Sequence, residues 1–381
     1  MNRSKSIITQ LLDSAGVVIN GEHPWDIKVR NENFFPLVIQ QGSLAIGESY
    51  MQNWWSSPQP DAFIAKVLSA RLDEKIHKSL SLKKHIFLAK LFNHQGHIQA
   101  FKNGSRHYDI GNDLFERMLD KRMTYTCAFW DGVKTLDAAQ EQKLDISCQK
   151  VHLKPGMHVL DIGCGWGSFA QFAAERYDVK VTGITISKEQ AALAKDRCKG
   201  LPVVIKLMDY RDLAGQYDAI VSLGMFEHVG YKNYRAYMEI ARKSLHDGGL
   251  FLLHTIGSNR SSVFTDPWIH KYIFPNSMLP SIGQIGKAIE GLFVMEHWEN
   301  YSADYDKTLM TWYHNFKEHW NELASKYDET FFRMWEYYLL SCAATFRARN
   351  SQLWQVVLSK NGVPGGYRFE RHTTKKDSIM Y

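Results

Sequence analysis

No stretch of the 381-residue chain approaches the roughly 18–20 uncharged apolar residues that a membrane-spanning helix needs. The first residues, Met1 to Gly16, carry basic groups but no apolar core. Asp13 interrupts them, so no signal peptide is expected. Cysteine is sparse: Cys127, Cys148, Cys164, Cys198 and Cys342 stand far apart with no C-x-x-C pair. This excludes a disulfide framework and a zinc ribbon, and fits a reducing cytoplasm. His94 and His97 form an H-x-x-H without partner ligands nearby, so they read as surface and no metal is expected. There is no internal repeat and no low-complexity tract.

What is present is an ordinary globular composition, 45% hydrophobic and 23% charged, long enough for two or three domains. The charge is unevenly placed. Arg71, Lys75, Lys78, Lys83, Lys84, Lys90, Lys102 and Arg106, against Asp73 and Glu74, match the whole formal net charge of +6. A basic stretch asks for an anionic partner. Leu80, Ile86, Phe87, Leu88, Leu91 and Phe92 interleave with the lysines, which favours an anionic membrane surface or a packed helix over a nucleic-acid arm. A solvated linker helix is the plainer alternative.

Three regions follow. Residues 1–75 open with a helical pattern (Ile7, Ile8, Leu11, Leu12, Ala15) and reach an aromatic cluster at Tyr50, Trp54 and Trp55 before Pro58 and Pro60 break the structure. Residues 76–106 form the basic connector. Beyond 107, apolar runs at 159–162, 179–185, 203–208, 218–223 and 250–256 predict strands. Helices are predicted over 168–177, 187–198 and 232–246. Strands that alternate with helices argue for an α/β, doubly wound sheet. Residues 264–346 are close to twice as rich in aromatic residues as the chain's 13% average. Their three- and four-residue spacing predicts a mostly helical segment that is part core, part ring-lined pocket.

The sharpest signal is Leu160-Asp161-Ile162-Gly163-Cys164-Gly165-Trp166-Gly167-Ser168. A strand ends in G-x-G-x-G and runs into a helix, so backbone N–H groups approach a ligand closely. The spacing is not the G-x-G-x-x-G of dinucleotide binders. A carboxylate at Asp161 would repel a pyrophosphate but suits an ammonium, such as that of S-adenosylmethionine (SAM). The acid that usually ends the second strand and binds ribose is replaced by Thr185, leaving hydroxyls or Gln190 for that task. Asp209 and Tyr210, at the end of the third strand, are placed for an adenine amino group and ring. A purely structural turn acid and strand-end aromatic fit the same spacing.

These departures, with Tyr108 to Asp113, Tyr125-Thr126-Cys127-Ala128-Phe129-Trp130, Gly183 to Ser187, Gly224 to Gly230, His254 to Ser258, Phe274-Pro275-Asn276 and Phe346 to Arg349, closely resemble the cyclopropane-fatty-acyl-phospholipid synthase family over essentially the whole chain. Thr126 stands where that family usually has serine. The mycolic-acid cyclopropane synthases look similar but lack the amino-terminal extension. The resemblance implies a class I SAM-dependent methyltransferase domain over 107–381, including a helical lid at about 264–346, preceded by a small α/β domain over 1–75 for lipid docking or dimerisation. It implies transfer of a methylene from SAM to the cis double bond of an unsaturated acyl chain in a membrane phospholipid, through a carbocation, with bicarbonate as base. By resemblance the bicarbonate site is Glu227, Cys127, His254, Ile256 and Tyr305. The SAM positions are Tyr125, Thr126, Asp161, Gly163, Gly165, Thr185, Ser187, Gln190, Asp209, Tyr210 and Gly224. Cys342, a nucleophile by type, reads as a helix-packing residue, since the chemistry needs no covalent enzyme intermediate. A homodimer, cytoplasmic and peripheral to the inner membrane, is expected.

Two other classes stay open at this stage: a SAM-dependent methyltransferase of a soluble amine or sterol, and a non-catalytic membrane-binding module on the same fold. A nucleic-acid enzyme is not expected, because Leu223-Gly224-Met225-Phe226 stands where an Asn-Pro-Pro-Tyr or Asp-Pro-Pro-Tyr motif would end the fourth strand.

Overall fold

A computed structural model describes residues 3–72 and 111–371. The basic connector, the His94/His97 pair and Tyr108 to Ile110 lie outside the described residues.

The amino-terminal region contains α1 (Arg3–Asp13), β1 (Lys28–Val29), α2 (Phe34–Gln41), α3 (Ser43–Met51), β2 (Trp55–Ser56) and α4 (Pro60–Ser69). The expected small α/β domain is thus four helices with one ribbon of two-residue strands, Lys28 opposite Ser56 and Val29 opposite Trp55. Phe34, Phe35, Tyr50, Trp55 and Phe63 share one continuous apolar core with Trp312, Trp335 and Tyr337 of the carboxyl-terminal half. Each such buried side chain contributes roughly 1.5–3 kcal/mol, so this region packs as part of the lid. Polar contacts fix its register: Tyr50 Oη donates to Glu336 Oε2 (2.6 Å), and Arg347 pairs with Asp61 (2.6 Å).

After α5 (Asn112–Met118) and α6 (Leu136–Lys150), apolar runs and amphipathic stretches alternate as β3 (His158–Ile162), α7 (Ser168–Tyr177), β4 (Lys180–Thr185), α8 (Lys188–Arg197), β5 (Val203–Leu207), β6 (Tyr217–Leu223), α9 (Tyr234–Ser244) and β7 (Leu245–Ser258). The expected elements lie within two residues of these, except that β7 begins earlier. Then come α10 (Pro267–Tyr272), α11 (Ile282–Ile289), β8 (Val294–Asn300), α12 (Ser302–Glu318), α13 (Trp320–Leu323), α14 (Glu329–Arg347) and β9 (Ser351–Ser359).

The main sheet runs β5-β4-β3-β6-β7-β9-β8. The first five strands are parallel, and β9 inserts antiparallel between β7 and β8. One face packs on α9 and α11, the other on α6, α7 and α8. The lid expectation needs a correction: residues 294–300 are the sheet's edge, and α11 belongs to the layer beside α9. The aromatic lid proper is α10 with α12 to α14. Two capping signals set helix starts beside the site. Ser187 accepts from Gln190 N at the head of α8, and Asp328 accepts from Phe331 N at the head of α14.

Candidate functional site

The parallel strands deliver their carboxyl ends to one edge, where open α/β sheets bind ligands. At the end of β3 the chain turns through Gly163 (φ +83°) and Gly165 (φ +54°), a region that favours glycine. Gly163 N and Cys164 N donate to Ile184 O at 3.0 and 2.9 Å, tying the loop to β4. A Cβ on Gly163 would meet Met225 at 2.8 Å, and one on Gly224 would meet the Thr126 methyl at 2.6 Å. Both glycines therefore let opposite walls close in.

The cleft above this loop is lined by Tyr125, Thr126, Asp161, Gly163, Gly165, Thr185, Gln190, Asp209, Tyr210 and Gly224, together with Trp166, Arg211, Met225, His228, Phe274 and Pro275. All the expected cofactor residues except Ser187 thus converge. Ser187 stands behind the wall, its hydroxyl used as the cap of α8. Thr185 Oγ1 donates to Gln190 Oε1 at 2.9 Å, so the hydroxyl in the acid's place is tied to the very amide expected to share its task. Asp209 does not offer a bare carboxylate: one oxygen accepts from Arg211 N and the other from the Arg211 guanidinium, both at 2.9 Å. Tyr210 packs edge-on against Tyr237, with Arg211 4.7 Å from its ring centroid.

Asp161 is fully buried and its Oδ2 has no hydrogen-bond partner. Burial pushes its carboxyl up to about 7, opposed only by the charge of Lys143. A buried carboxyl with a vacant oxygen beside a glycine loop is suited to a ligand ammonium. Those features fit the amino-acid part of SAM. At the same edge His228 sits edge-on to Phe274 at 5.6 Å. Burial lowers it to about 4, leaving a neutral imidazole.

The helix α6 was missed as a functional element. Gln140, Lys143, Ser147 and Lys150 are each fully buried at helical spacing, a polar stripe turned inward. Gln140 Nε2 donates to Thr124 O (3.2 Å) and Thr126 O (2.8 Å). Lys143 Nζ donates to Thr126 Oγ1 (2.8 Å). Lys150 Nζ donates to Glu299 (2.7 Å) and Tyr301 Oη (3.1 Å). Helical periodicity with polar residues was the available signal, and it reads as a solvent face when apolar residues define the inside.

The second expected group lies behind the cleft, at the ends of β6 and β7. Glu227 Oε1 accepts from Ile256 N at 2.6 Å, while its buried Oε2 has no partner. Burial pushes Glu227 up to about 7. Ile256 commits its N–H to Glu227, and its carbonyl accepts from Thr255 Oγ1 (3.0 Å) with a second lone pair left for the expected backbone role. It therefore buttresses Glu227. His254 is buried, with Nε2 unpartnered and Nδ1 3.3 Å from Gln355 Nε2. Ser147 Oγ donates to Lys143 O (2.8 Å) and so accepts from Gln355 Nε2 (3.1 Å). That sequence fixes the amide, makes Nδ1 an acceptor, and leaves the proton on Nε2. Burial and the charges of Lys143 and Lys150 hold His254 well below its usual range.

Cys127 is buried, and its thiol donates to Ala128 O (3.2 Å). Burial and the Asp304 charge raise it well above the usual thiol range. Tyr305 is buried, stacked on Phe346 at 4.6 Å. Burial, then the nearby Cys127 and Glu227, keep its phenol protonated. Cys342 packs on the lid core, and burial lifts its thiol to about 12. A thiolate is the reactive form of cysteine, and this thiol is held protonated. No group of side chains that could hold a metal is found among the described residues. None of the described helices is long and apolar enough to cross a membrane.

One family and three known proteins are similar to this chain. The model of the mycolic acid cyclopropane synthetase family matches residues 95–356. The cyclopropane-fatty-acyl-phospholipid synthase of Escherichia coli (strain K12) is 53% identical over 365 residues, covering 96% of this chain and 95% of that protein. Among solved structures, cyclopropane synthase MmaA2 from Mycobacterium tuberculosis superposes with a TM-score of 0.65 at 31% identity, covering 68% of this chain and 98% of its own. Mycolic acid cyclopropane synthase CmaA1, complexed with SAH and CTAB, superposes with a TM-score of 0.64 at 31% identity over the same shares.

Proposed function

We propose the following chemistry from the premise that the chain belongs to the mycolic acid cyclopropane synthetase family. The chain is a SAM-dependent enzyme. It transfers a methylene to the cis double bond of an unsaturated acyl chain in a phospholipid, giving a cyclopropane acyl chain and S-adenosylhomocysteine. The near-full-length identity to a phospholipid enzyme carries this reading, because the amino-terminal region shares a core with the lid and is matched along with it. The SAM sulfonium methyl supplies the one-carbon unit.

An alkene is a weak nucleophile, so the protein's work is placement and stabilisation of charge. Asp161 would hold the ammonium of the amino-acid part, and the glycine turn would bring backbone against it. Arg211 and Asp209 close the opposite end of the cleft as a pair. The rings of Tyr125, Trp312 and Tyr338 crowd together where α12 and α14 meet the cleft. Tyr125 lies 5.2 Å from Trp312, and its hydroxyl is 2.8 Å from that of Tyr338. Each aromatic face would stabilise a developing cation by roughly 0.5–2 kcal/mol without trapping it. The protonated thiols of buried Cys127 and half-buried Cys342 are poor nucleophiles towards such a cation.

The surplus proton needs an acceptor, and the pair behind the cleft is suited to bicarbonate. Glu227 Oε2 would accept from its hydroxyl, and the Nε2–H of His254 would donate to its anionic oxygens. Tyr305 and the backbone of Cys127 complete the group. One vacant acceptor and one vacant donor match a species that is itself both.

Substrate access is read as docking on an anionic membrane surface through the 76–106 connector and the amino-terminal region of residues 1–75. Each Lys or Arg near such a surface is worth about 1 kcal/mol. A homodimer would double those contacts, at the cytoplasmic face of the inner membrane. The testing experiment incubates the protein with SAM and vesicles of unsaturated phospholipid. Acyl chains heavier by one methylene, with cyclopropyl proton signals, are expected. Unchanged acyl chains, or branched methyl or methylene products instead, would overturn the reading.

A further inference from the structure

The inward stripe of α6 places a cation where the family resemblance named none. Lys143 is fully buried, and its Nζ makes one hydrogen bond to a side chain, 2.8 Å to Thr126 Oγ1. An ammonium has three donors and no acceptor. Thr126 Oγ1 must therefore accept from Lys143, and its own proton is turned elsewhere. Gln140 clamps the Thr126 carbonyl at 2.8 Å, which holds the backbone still. Thr126 lines the cleft against Gly224, at the end of β6 and next to the strand of Asp161, whereas Asp209 and Tyr210 follow β5, two strands beyond β3. The Thr126 side therefore carries both signs: a carboxyl with a vacant oxygen at Asp161, and a donor hydroxyl backed by a buried positive charge.

We propose that Lys143 is a positioning residue that fixes the Thr126 hydroxyl as a donor into the cleft, so that the Thr126–Lys143 pair reads the carboxylate of an α-amino-acid group whose ammonium is held by Asp161. The inference rests on the cleft being the SAM site. It goes further by assigning recognition of the zwitterion to a residue pair, one member of which never touches the ligand. Charge-assisted hydrogen bonds favour anionic acceptors, and the carboxyls of Asp120 and Asp161 lie near the Lys143 charge without a hydrogen bond to it. The potential is thus partly balanced from the protein side and completed by a carboxylate from the ligand side.

The test measures binding by titration calorimetry for two ligands. S-adenosylhomocysteine carries the amino-acid group; 5′-methylthioadenosine lacks it. Lys143→Met should weaken S-adenosylhomocysteine by about tenfold to a hundredfold, the range of a lost charge-assisted bond, and leave methylthioadenosine within about twofold. Thr126→Val should do the same, and the double variant should be no weaker than either single one. Lys143→Arg, which keeps a donor-only head, should recover most of the loss. If Lys143→Met does not fold, Lys143→Gln supplies the same comparison. Equal losses for both ligands, additive losses in the double variant, or unchanged S-adenosylhomocysteine binding would overturn the inference. A wild-type protein that binds neither ligand would instead overturn the reading of the cleft, and this inference with it.

Discussion

The amide of Ile256 donates to Glu227 Oε1 at 2.6 Å. One carboxylate oxygen is thereby pinned to the end of β7, and the other is left buried and vacant. A carboxyl held this way is rigid, dehydrated and half-satisfied, which is the state that makes a poised acceptor and a costly residue at once.

Glu227→Gln keeps the bond from Ile256 N but removes the charge and the vacant acceptor. Turnover should fall by roughly 10²-fold or more, with S-adenosylhomocysteine affinity within about threefold of wild type. Steady-state kinetics and calorimetry check both. Wild-type turnover would refute the assignment.

The pH dependence follows from the same group. Burial moves Glu227 from 4.5 to about 7, so kcat/KM should rise as pH increases through about 7 as the carboxylate forms. For stability the sign is opposite. The folded state binds the proton more tightly than the unfolded one, so stability falls as pH rises from about 4.5 to 7. Glu227→Gln should then be more stable than wild type at pH 8, by roughly 1–3 kcal/mol, and indistinguishable near pH 4.5. Thermal melts at the two pH values decide it.

Tyr50 Oη donates to Glu336 across the seam between the amino-terminal helices and the lid, at 2.6 Å, and Tyr313 Oη donates to the same carboxylate from within the lid, at 2.8 Å. Tyr50→Phe leaves one carboxylate oxygen short of a donor in a buried place. Stability should drop by about 1–3 kcal/mol, read from denaturant midpoints. Turnover per folded molecule should change little.

Cys342→Ala should alter turnover by less than about twofold, because a thiol raised to about 12 is not a nucleophile. A loss of activity by orders of magnitude, with the melting temperature intact, would reinstate it.

Reversing Lys83 and Lys84 to glutamate should weaken binding to anionic vesicles at low salt, and added salt should narrow the difference. Vesicle co-sedimentation measures it. Equal binding would make the connector a linker.

The sequence by itself determined the parallel strands, their helices, the glycine turn and a set of cofactor positions of which all but Ser187 line the cleft. Each of those is dictated locally: an apolar run buried on both faces, a spacing of glycines, an acid next to them. It did not reveal β8 and β9. The segments Val294–Asn300 and Ser351–Ser359 are mixed polar and apolar, and become strands only because β7 presents an edge for β9 to fill. It set the amino-terminal region apart from the lid, which the structure joins in one core, because a shared core is a long-range property. It also passed over α6. Gln140, Lys143, Ser147 and Lys150 look like a wet face, and only the tertiary structure turns that face inward, where Thr126, Gln355 and Glu299 satisfy it. A buried polar group gains its partners from elements distant in sequence, so pattern fixes which residues are polar, and packing alone decides which of them meet.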